Sequence, residues 1–258
     1  MEVKLLKTKI FGMDFWYRED DRYIGQRIAL GKYEEYETML MQHQLKDVEV
    51  VVDVGANIGY YTLLMASMAK RVYALEPDKE CFEILKKNVE ENNLKNVVIL
   101  NVAAGAKKEI KNLIKDIENM GNSHLGDEKG VEVKCERLEQ ILINEHKIDL
   151  IKIDTQGWEP AVIVGAKKII ERDKPTLFLE YSPAEYKDEK MKEYLKNIYK
   201  HIWSIDYWFY VCRNGIRINK KTGYTDLWIK DKVTIGDYWW AIKEIRIKKV
   251  LKSLMKYY

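Results

Sequence analysis

The stretch Val50-Val-Val-Asp-Val-Gly-Ala-Asn-Ile-Gly59 decides the fold class of this chain of 258 residues. The valine-rich run before Gly55 predicts a buried strand, and the two glycines predict a tight turn into a helix that begins after Gly59. In open α/β sheets, ligands bind beyond the carboxyl ends of the strands. Asp53 and Asn57 are therefore candidate binding residues.

Short apolar runs alternate with helical patterns over the rest of this region. The predicted strands are 50–54, 71–75, 97–100, 148–153 and 176–179, and the predicted helices are 60–70, 79–92 and 160–171. Strands rich in Val, Ile and Leu that are separated by helices favour a parallel sheet covered on both faces. With right-handed crossovers, the pattern predicts an α/β fold with a doubly wound, mostly parallel sheet. The runs 203–212 and 225–229 predict a late antiparallel strand pair.

The sequence divides into three segments. Residues 1–49 predict a helical cap, residues 50–236 the main domain, and residues 237–258 a basic amphipathic helix. In the last segment, apolar residues recur largely at helical spacing, and lysines and arginines occupy the other faces. Such a helix either packs on the domain or makes peripheral contact with a membrane, and both alternatives stay open.

Composition limits the class of protein. The 44 basic and 41 acidic side chains nearly balance, at a net charge of +3, so we expect no nucleic-acid partner. Cys81, Cys135 and Cys212 are too far apart for a metal-binding pair or a disulfide framework, which favours the cytoplasm. We find no signal peptide, no apolar run long enough to span a membrane, and no indication of oligomeric state.

Two carboxylates at predicted strand ends bear on the choice of cofactor. Glu76 can accept hydrogen bonds from both hydroxyls of an adenosine ribose. A dinucleotide site needs G-x-G-x-x-G to cradle a pyrophosphate, and here Asn57 replaces the second glycine. Asp53 would repel a pyrophosphate but suits the cationic groups of S-adenosylmethionine (SAM). The turn therefore favours SAM over NAD, and a glycine turn without a ligand is the structural alternative.

Several pieces of the chain resemble the FkbM family of SAM-dependent methyltransferases, over about residues 20–185. They are Gly31-Lys-Tyr-Glu34, the segments 53–62, 73–78 and 149–159, Asn101-Val-Ala-Ala-Gly105, Gly165-Ala166 and the segment 175–180. The most specific is Lys152-Ile-Asp-Thr-Gln-Gly-Trp-Glu159, in which many relatives carry glutamate where this chain has Gln156. The resemblance implies a class I methyltransferase fold and O-methylation, often of a hydroxyl on a sugar or natural product. It implies a small-molecule or glycan substrate.

The resemblance also implies which residues bind the cofactor. They are Asp53, Gly55, Asn57, Gly59, Glu76, Pro77, Ala103 and Ala104. The first four would surround the methionine part of SAM, and Glu76 would bind the ribose. The two alanines would meet the adenine edge through their backbone.

Methyl transfer to a hydroxyl needs alignment and a nearby base. Asp154 ends the fourth predicted strand, facing the crevice, and is the first candidate for that base. His124, in a polar loop, can accept a proton near neutral pH and is the second. Glu180, at the end of the fifth strand, could bind a substrate hydroxyl. Each also has a structural interpretation, as a satisfied or exposed side chain, and nothing in the spacing demands a metal.

Two other functions stay open. An enzyme that methylates amino groups of nucleobases typically carries an Asn/Asp-Pro-Pro-aromatic turn after the fourth strand, whereas this chain has Asp154-Thr-Gln-Gly157. A non-catalytic module could keep the SAM site and lack the reaction. The intact cofactor residues argue against such a module.

Overall fold

The structure is a computed structural model that describes residues 4–116, 119–181, 189–204, 225–233 and Asp237. The chain divides into two compact units, Met1–Pro175 and Thr176–Tyr258. No helix within the described residues is long and apolar enough to cross a lipid bilayer.

The first unit combines strands and helices in alternation. Its strands are β1 (Leu5–Ile10), β2 (Met13–Arg18), β3 (Val50–Val54), β4 (Arg71–Leu75), β5 (Val97–Leu100), β6 (Ala103–Ala104), β7 (Glu109–Ile114), β8 (His124–Gly126), β9 (Val131–Glu136) and β10 (Leu150–Ile153). Its helices are α1 (Gly25–Ala29), α2 (Glu35–Gln44), α3 (Tyr60–Ala66), α4 (Lys79–Glu91), α5 (Leu138–Ile141), α6 (Glu159–Gly165) and α7 (Lys167–Asp173).

A parallel sheet forms the centre of the first unit. Its strands lie in the order β10-β3-β4-β5, and every neighbouring pair is parallel. All four residues of β10 are buried, as are four of the five in β3, which is expected of strands covered on both faces. The predicted α/β class with a mostly parallel sheet is confirmed.

The helix predicted at 160–171 is instead two helices that meet at Ala166. A Cβ atom on Gly165 would lie 1.9 Å from the carbonyl oxygen of Gly105, so the end of α6 is pressed against another backbone segment. Periodicity alone does not reveal this contact, because it depends on a distant part of the chain.

A second, smaller sheet occupies the region that sequence analysis left as loop. Its strands lie in the order β6-β9-β7-β8, with β6 and β9 parallel and the other pairs antiparallel. Four buried side chains form its core, namely Ala103, Leu113, Val133 and Cys135. The prediction of a loop around His124 is therefore wrong, because His124 begins β8 and pairs with Ile114.

The N-terminal segment differs from the expected helical cap. It begins with the antiparallel hairpin β1–β2, and only after it come α1 and α2. Phe11 and Gly12 both have positive φ, at 50° and 79°, as a two-residue hairpin turn that follows the twist of its strands requires. Phe-Gly is not one of the dipeptides that signal such a turn, so the hairpin was missed.

The second unit contains β11 (Thr176–Tyr181), α8 (Glu189–Ile198), β12 (His201–Ser204) and β13 (Thr225–Lys230). β13 pairs antiparallel with both β11 and β12. The predicted late antiparallel pair is confirmed by β12 and β13, although residues 205–212 of the predicted run lie outside the described residues. Of the predicted helix at 237–258, only Asp237 is described.

Candidate active site

The turn after β3 has the backbone conformation that its glycines predict. Gly55, Asn57 and Gly59 have φ of 77°, 51° and 98°. Asn57 tolerates this left-handed conformation because its side-chain Oδ1 accepts a hydrogen bond from the Ile58 amide, at 2.7 Å. Gly59 precedes α3, where a Cβ atom would lie 2.7 Å from the Leu85 side chain.

Gly55 approaches the protein's own backbone. A Cβ atom at this position would lie 1.8 Å from the carbonyl oxygen of Asp154. The sequence predicted a tight turn at Gly55 but did not indicate this contact, which excludes a side chain here. The turn after β3 therefore packs directly against the backbone of Asp154, the residue that follows β10.

Glu76 follows β4 and is hydrogen-bonded to the turn after β3. Its Oε2 accepts a hydrogen bond from the Asn57 amide at 2.8 Å, and its Oε1 accepts one from the Asp78 amide at 2.7 Å. Burial raises the pKa of Glu76 to about 7. Each carboxylate oxygen can accept a further hydrogen bond, so Glu76 can still bind a hydroxyl group. Pro77 is half-buried beside it, and its carbonyl oxygen accepts a hydrogen bond from Asn101 at 3.1 Å.

Asp53 is sealed inside the protein. Its side chain is 0% exposed, and its Oδ2 accepts a hydrogen bond from the Thr62 hydroxyl at 2.7 Å. The other oxygen, Oδ1, lies 3.6 Å from Lys152 Nζ and has no hydrogen-bond partner among the described residues. Burial raises the pKa of Asp53, and the charge of Lys152 opposes that rise. A ligand in this arrangement would experience the charge of Asp53 without touching its oxygens.

Asp154 is the more accessible of the two acids. Its side chain is 32% exposed, and Lys152 Nζ lies 3.2 Å from its Oδ2. The Gln156 amide group donates a hydrogen bond to its Oδ1 at 2.9 Å. Asp154 is therefore both held in orientation and partly exposed, as a proton acceptor requires.

Glu34 joins this site, although sequence analysis gave it no role. The Tyr61 hydroxyl donates a hydrogen bond to Glu34 Oε2 at 2.7 Å. The Lys152 ammonium lies over the Tyr61 ring, 5.1 Å from its centroid. Burial raises the pKa of Glu34, and the negative charge of Asp154 adds to that rise. The sequence signal for Glu34 was the segment Gly31-Lys-Tyr-Glu34, one of the pieces that resemble the FkbM family.

Ala103 and Ala104 are both buried and form β6, which pairs with Cys135 and Glu136 of β9. The next residue, Gly105, leaves no room for a side chain, because a Cβ atom would lie 2.4 Å from Cys135 Sγ. The backbone at 103–104 is thus engaged with β9 along one side. Whether its other side meets an adenine stays a prediction.

Glu159 stabilises the loop after β10. It is fully buried, and its Oε1 accepts hydrogen bonds from the Thr155 amide at 2.8 Å and from the Thr155 hydroxyl at 2.9 Å. The Gly157 amide lies 3.3 Å from the same oxygen. Burial raises the pKa of Glu159 to about 7. This carboxyl therefore shapes the loop that carries Asp154 and Gln156.

The two other candidate catalytic residues are His124, in the second sheet, and Glu180, in the second unit. His124 is exposed at the start of β8, with its Nδ1 3.3 Å from the Asn122 carbonyl oxygen. Glu180 is buried in β11 of the second unit, in register with Asp226. In the part of the chain that the structure describes, no three His, Cys, Asp or Glu side chains group as metal ligands.

In this parallel sheet, β3 carries an aspartate and is followed by a glycine-containing turn. This arrangement is typical of α/β domains that bind nucleoside cofactors. Residues 53–209 match the model of the methyltransferase FkbM domain, so the chain belongs to this methyltransferase family. The family that the sequence motifs indicated is confirmed.

Two curated relatives and one solved structure that the chain matches are named as methyltransferases. A probable ribosomal RNA small subunit methyltransferase A of Methanosphaera stadtmanae is 37% identical over 62 residues, 24% of this chain and 23% of the relative. A probable cobalt-precorrin-6B C(15)-methyltransferase of Sulfurisphaera tokodaii is 34% identical over 85 residues, 31% of this chain and 44% of the relative. A crystal structure of methyltransferase FkbM from Methylobacillus flagellatus has a TM-score of 0.48 and 18% identity, over 71% of this chain and 44% of that one. The chain spans less than half the length of each.

These relatives correct our expectation about partners. We excluded nucleic acid because the charges nearly balance, and that exclusion is wrong, since one matched relative is named for ribosomal RNA. Total charge averages over the whole surface, whereas contact with phosphates depends on where the basic side chains lie. The expectation that the acceptor is only a small molecule or a glycan is therefore wrong as well.

The membrane contact suggested for 237–258 concerns residues that, apart from Asp237, lie outside the described part.

Proposed function

We propose that this chain binds SAM at the carboxyl ends of β3 and β4 and transfers its methyl group to a hydroxyl oxygen. The observation that carries the proposal is the Asp154 carboxylate, which is 32% exposed beside the cofactor turn and held by Lys152 at 3.2 Å. A carboxylate so placed can accept the proton that a hydroxyl loses as its oxygen is methylated.

The residues present fit SAM. Glu76 has free lone pairs for the ribose hydroxyls, and the Asn57 turn lies directly beside it. Asp53 and Asp154 lie beside Lys152, and the charge of Glu34 also acts on it. Three carboxylates near one ammonium leave an excess of negative charge. That excess favours a cationic ligand and disfavours a pyrophosphate. When bound, SAM supplies a methyl group on a positively charged sulfur, which a hydroxyl oxygen can attack.

The chain's own residues then have separate tasks. Glu76 would hold the ribose, and Pro77 with the Ala103–Ala104 backbone would border the base. Asp154 would receive the acceptor's proton on its exposed side while Lys152 and Gln156 keep its orientation. Oxygen is favoured over nitrogen because the turn after β10 lacks the Pro-Pro-aromatic sequence typical of methyltransferases that act on nucleobase amino groups.

Calorimetry with SAM and with NAD tests the cofactor. We expect heat of binding with SAM and none with NAD, and the opposite result would overturn the proposal. Transfer of a labelled methyl group is then screened against sugars, hydroxylated natural products and RNA, with the labelled atom identified by mass spectrometry. Label on nitrogen would overturn O-methylation. Binding of SAM without transfer to any acceptor would point to a non-catalytic module.

A further inference from the structure

Lys152 is a buried lysine in the centre of the parallel sheet. In the β10–β3 ladder it pairs with Asp53, so the two side chains are neighbours on one face of the sheet. The Lys152 side chain is 9% exposed and that of Asp53 is 0% exposed. Burial of a charged group is unfavourable unless partners compensate, so a lysine here requires groups that stabilise its charge.

The Lys152 ammonium is surrounded by groups that stabilise a positive charge. Its Nζ lies 3.2 Å from Asp154 Oδ2, 3.6 Å from Asp53 Oδ1 and 5.1 Å from the Tyr61 ring centroid. Burial would lower the pKa of Lys152, but Asp154, Asp53 and Glu34 outweigh burial and raise it. Lys152 is therefore a cation at neutral pH.

The two acids beside Lys152 differ in what they can reach. Asp53 is fully buried, with Thr62 bonded to one oxygen at 2.7 Å, so it has no surface for a substrate. Asp154 is partly exposed. The charge of Asp53 thus acts on the open part of the site through Lys152, which lies between the two carboxylates.

Gln156 holds the second oxygen of Asp154. Its Nε2 donates to Asp154 Oδ1 at 2.9 Å, opposite the oxygen that faces Lys152. Gln156 has φ of 52°, and the flanking residues Thr155 and Gly157 are bonded to Glu159, which fixes this short loop. An ionised glutamate in place of Gln156 could not donate this hydrogen bond.

We propose that Lys152, anchored by Asp53, and Gln156 are positioning residues that orient the Asp154 carboxylate and keep it ionised as a proton acceptor. The inference rests on the role proposed above for Asp154. In this inference Asp53 does not contact the cofactor. It holds the Lys152 ammonium from inside the protein. Glu34, which is bonded to the Tyr61 hydroxyl, contributes a third negative charge that helps to keep Lys152 protonated.

Titration of Asp154 by carbon NMR tests the inference without SAM or an acceptor. The full chain is labelled with carbon-13 at the aspartate carboxyls, and the Asp154 signal is assigned by its loss in Asp154→Asn. Lys152→Met should raise the titration midpoint of Asp154 by about one pH unit or more, because a nearby opposite charge is lost. Lys152→Arg should return it toward the wild-type value.

Asp53→Asn should shift the midpoint in the opposite direction. It removes a like charge that competes with Asp154 for Lys152, so the midpoint should fall. A general loosening of the site would not produce shifts of opposite sign. Lys115→Met is the matched control, because Lys115 is a partly buried lysine that also lies between two acids, Asp78 and Glu80, at 2.9 Å from each. It should leave Asp154 unchanged.

An unchanged Asp154 midpoint in a folded Lys152→Met chain would overturn the inference. If that variant does not fold, Gln156→Glu decides, since it exchanges a donor for a carboxylate in the partly buried loop and should raise the midpoint. No rise there would equally overturn the inference. The expected shifts in a chain that transfers no methyl group would instead count against the proposed function alone.

Discussion

The backbone carbonyl oxygen of Asp154 occupies the place where a Cβ atom on Gly55 would be, at 1.8 Å. The turn after β3 and the candidate base after β10 are therefore in contact through backbone atoms. Because backbone cannot move aside as a flexible side chain can, a change at Gly55 displaces the residue on which the proposed proton transfer depends.

Gly55→Ala should destabilise the protein strongly. It combines the cost of a left-handed residue, about 1–2 kcal/mol, with a collision against backbone. Gly12→Ala is the matched control, since Gly12 has a similar φ of 79° and no atom within 4 Å of a built Cβ. Urea unfolding should show a clearly larger loss for Gly55→Ala, and equal losses would contradict the role given to the Asp154 contact.

Glu76→Gln should weaken SAM binding by about tenfold or more. Hydrogen bonds to a charged group contribute about 1.5–3 kcal/mol each, and the neutral amide loses that strength at the ribose. Glu83→Gln, an exposed position on the following helix, serves as the control and should leave the affinity unchanged. Wild-type affinity in Glu76→Gln would remove Glu76 from the ribose site.

The protonation of Glu76 adds a second measurement. Its pKa of about 7 leaves a fraction of the carboxyl protonated near neutral pH. Ribose hydroxyls favour the ionised form, so SAM binding should release protons and tighten as the pH rises from 6 to about 8. Calorimetry in buffers of different ionisation enthalpy measures the release, which should be absent in Glu76→Gln.

The stability of the ligand-free protein should fall as the pH rises from about 5 to 7. Glu76 and Glu159 both have a pKa raised to about 7 by burial, against 4.5 for an unperturbed glutamate. Between these values the folded state binds more protons than the unfolded state, so the free energy of unfolding decreases with pH. The slope from one such group is at most about 1.4 kcal/mol per pH unit.

Glu159→Gln should flatten that decrease, because a neutral amide does not titrate. Urea unfolding at several pH values measures the slope, with the exposed Glu171→Gln as the control that keeps it. An identical slope in Glu159→Gln and wild type would show that Glu159 does not carry the pH dependence.

Asp154→Asn should lower the rate of methyl transfer by about 10²–10⁴-fold, the usual effect of losing a general base. SAM binding should change much less, because Asp154 is proposed to act on the acceptor. His124→Ala is the paired test, and it should leave the rate near that of wild type, since His124 is exposed in β8. If both variants keep the wild-type rate, neither residue is the base.

Strands 50–54, 71–75 and 97–100 were predicted with the bounds that the structure shows. Each is a short apolar run between polar or glycine residues, so local sequence contains the whole signal. The second sheet was not predicted, because its strands mix charged and apolar residues. In β9 only Val133 and Cys135 are buried, and the outer residues read as a polar loop.

The candidate site was predicted only in part. Asp53, Glu76 and Asp154 stand at strand ends, where a parallel sheet brings side chains together, so their proximity followed from topology. That Asp53 is sealed depends on Thr62 and Lys152 packing around it. The contribution of Glu34 depends on a hydrogen bond to Tyr61, 27 residues later.

The N-terminal hairpin meets α4 through two asparagine side chains. Asn88 accepts a hydrogen bond from the Trp16 amide at 2.6 Å and donates one to the Trp16 carbonyl at 3.0 Å. Asn92 does the same for Asp14, at 2.9 and 2.7 Å. The two side-chain amides thus make the hydrogen bonds that a neighbouring strand would make. Asn88 and Asn92 are about one helical turn apart, and this spacing matches the alternate residues Asp14 and Trp16 of β2. At Asp14 and Trp16, β2 consequently offers no open edge, so a helix protects this hairpin from intermolecular strand pairing that leads to aggregation.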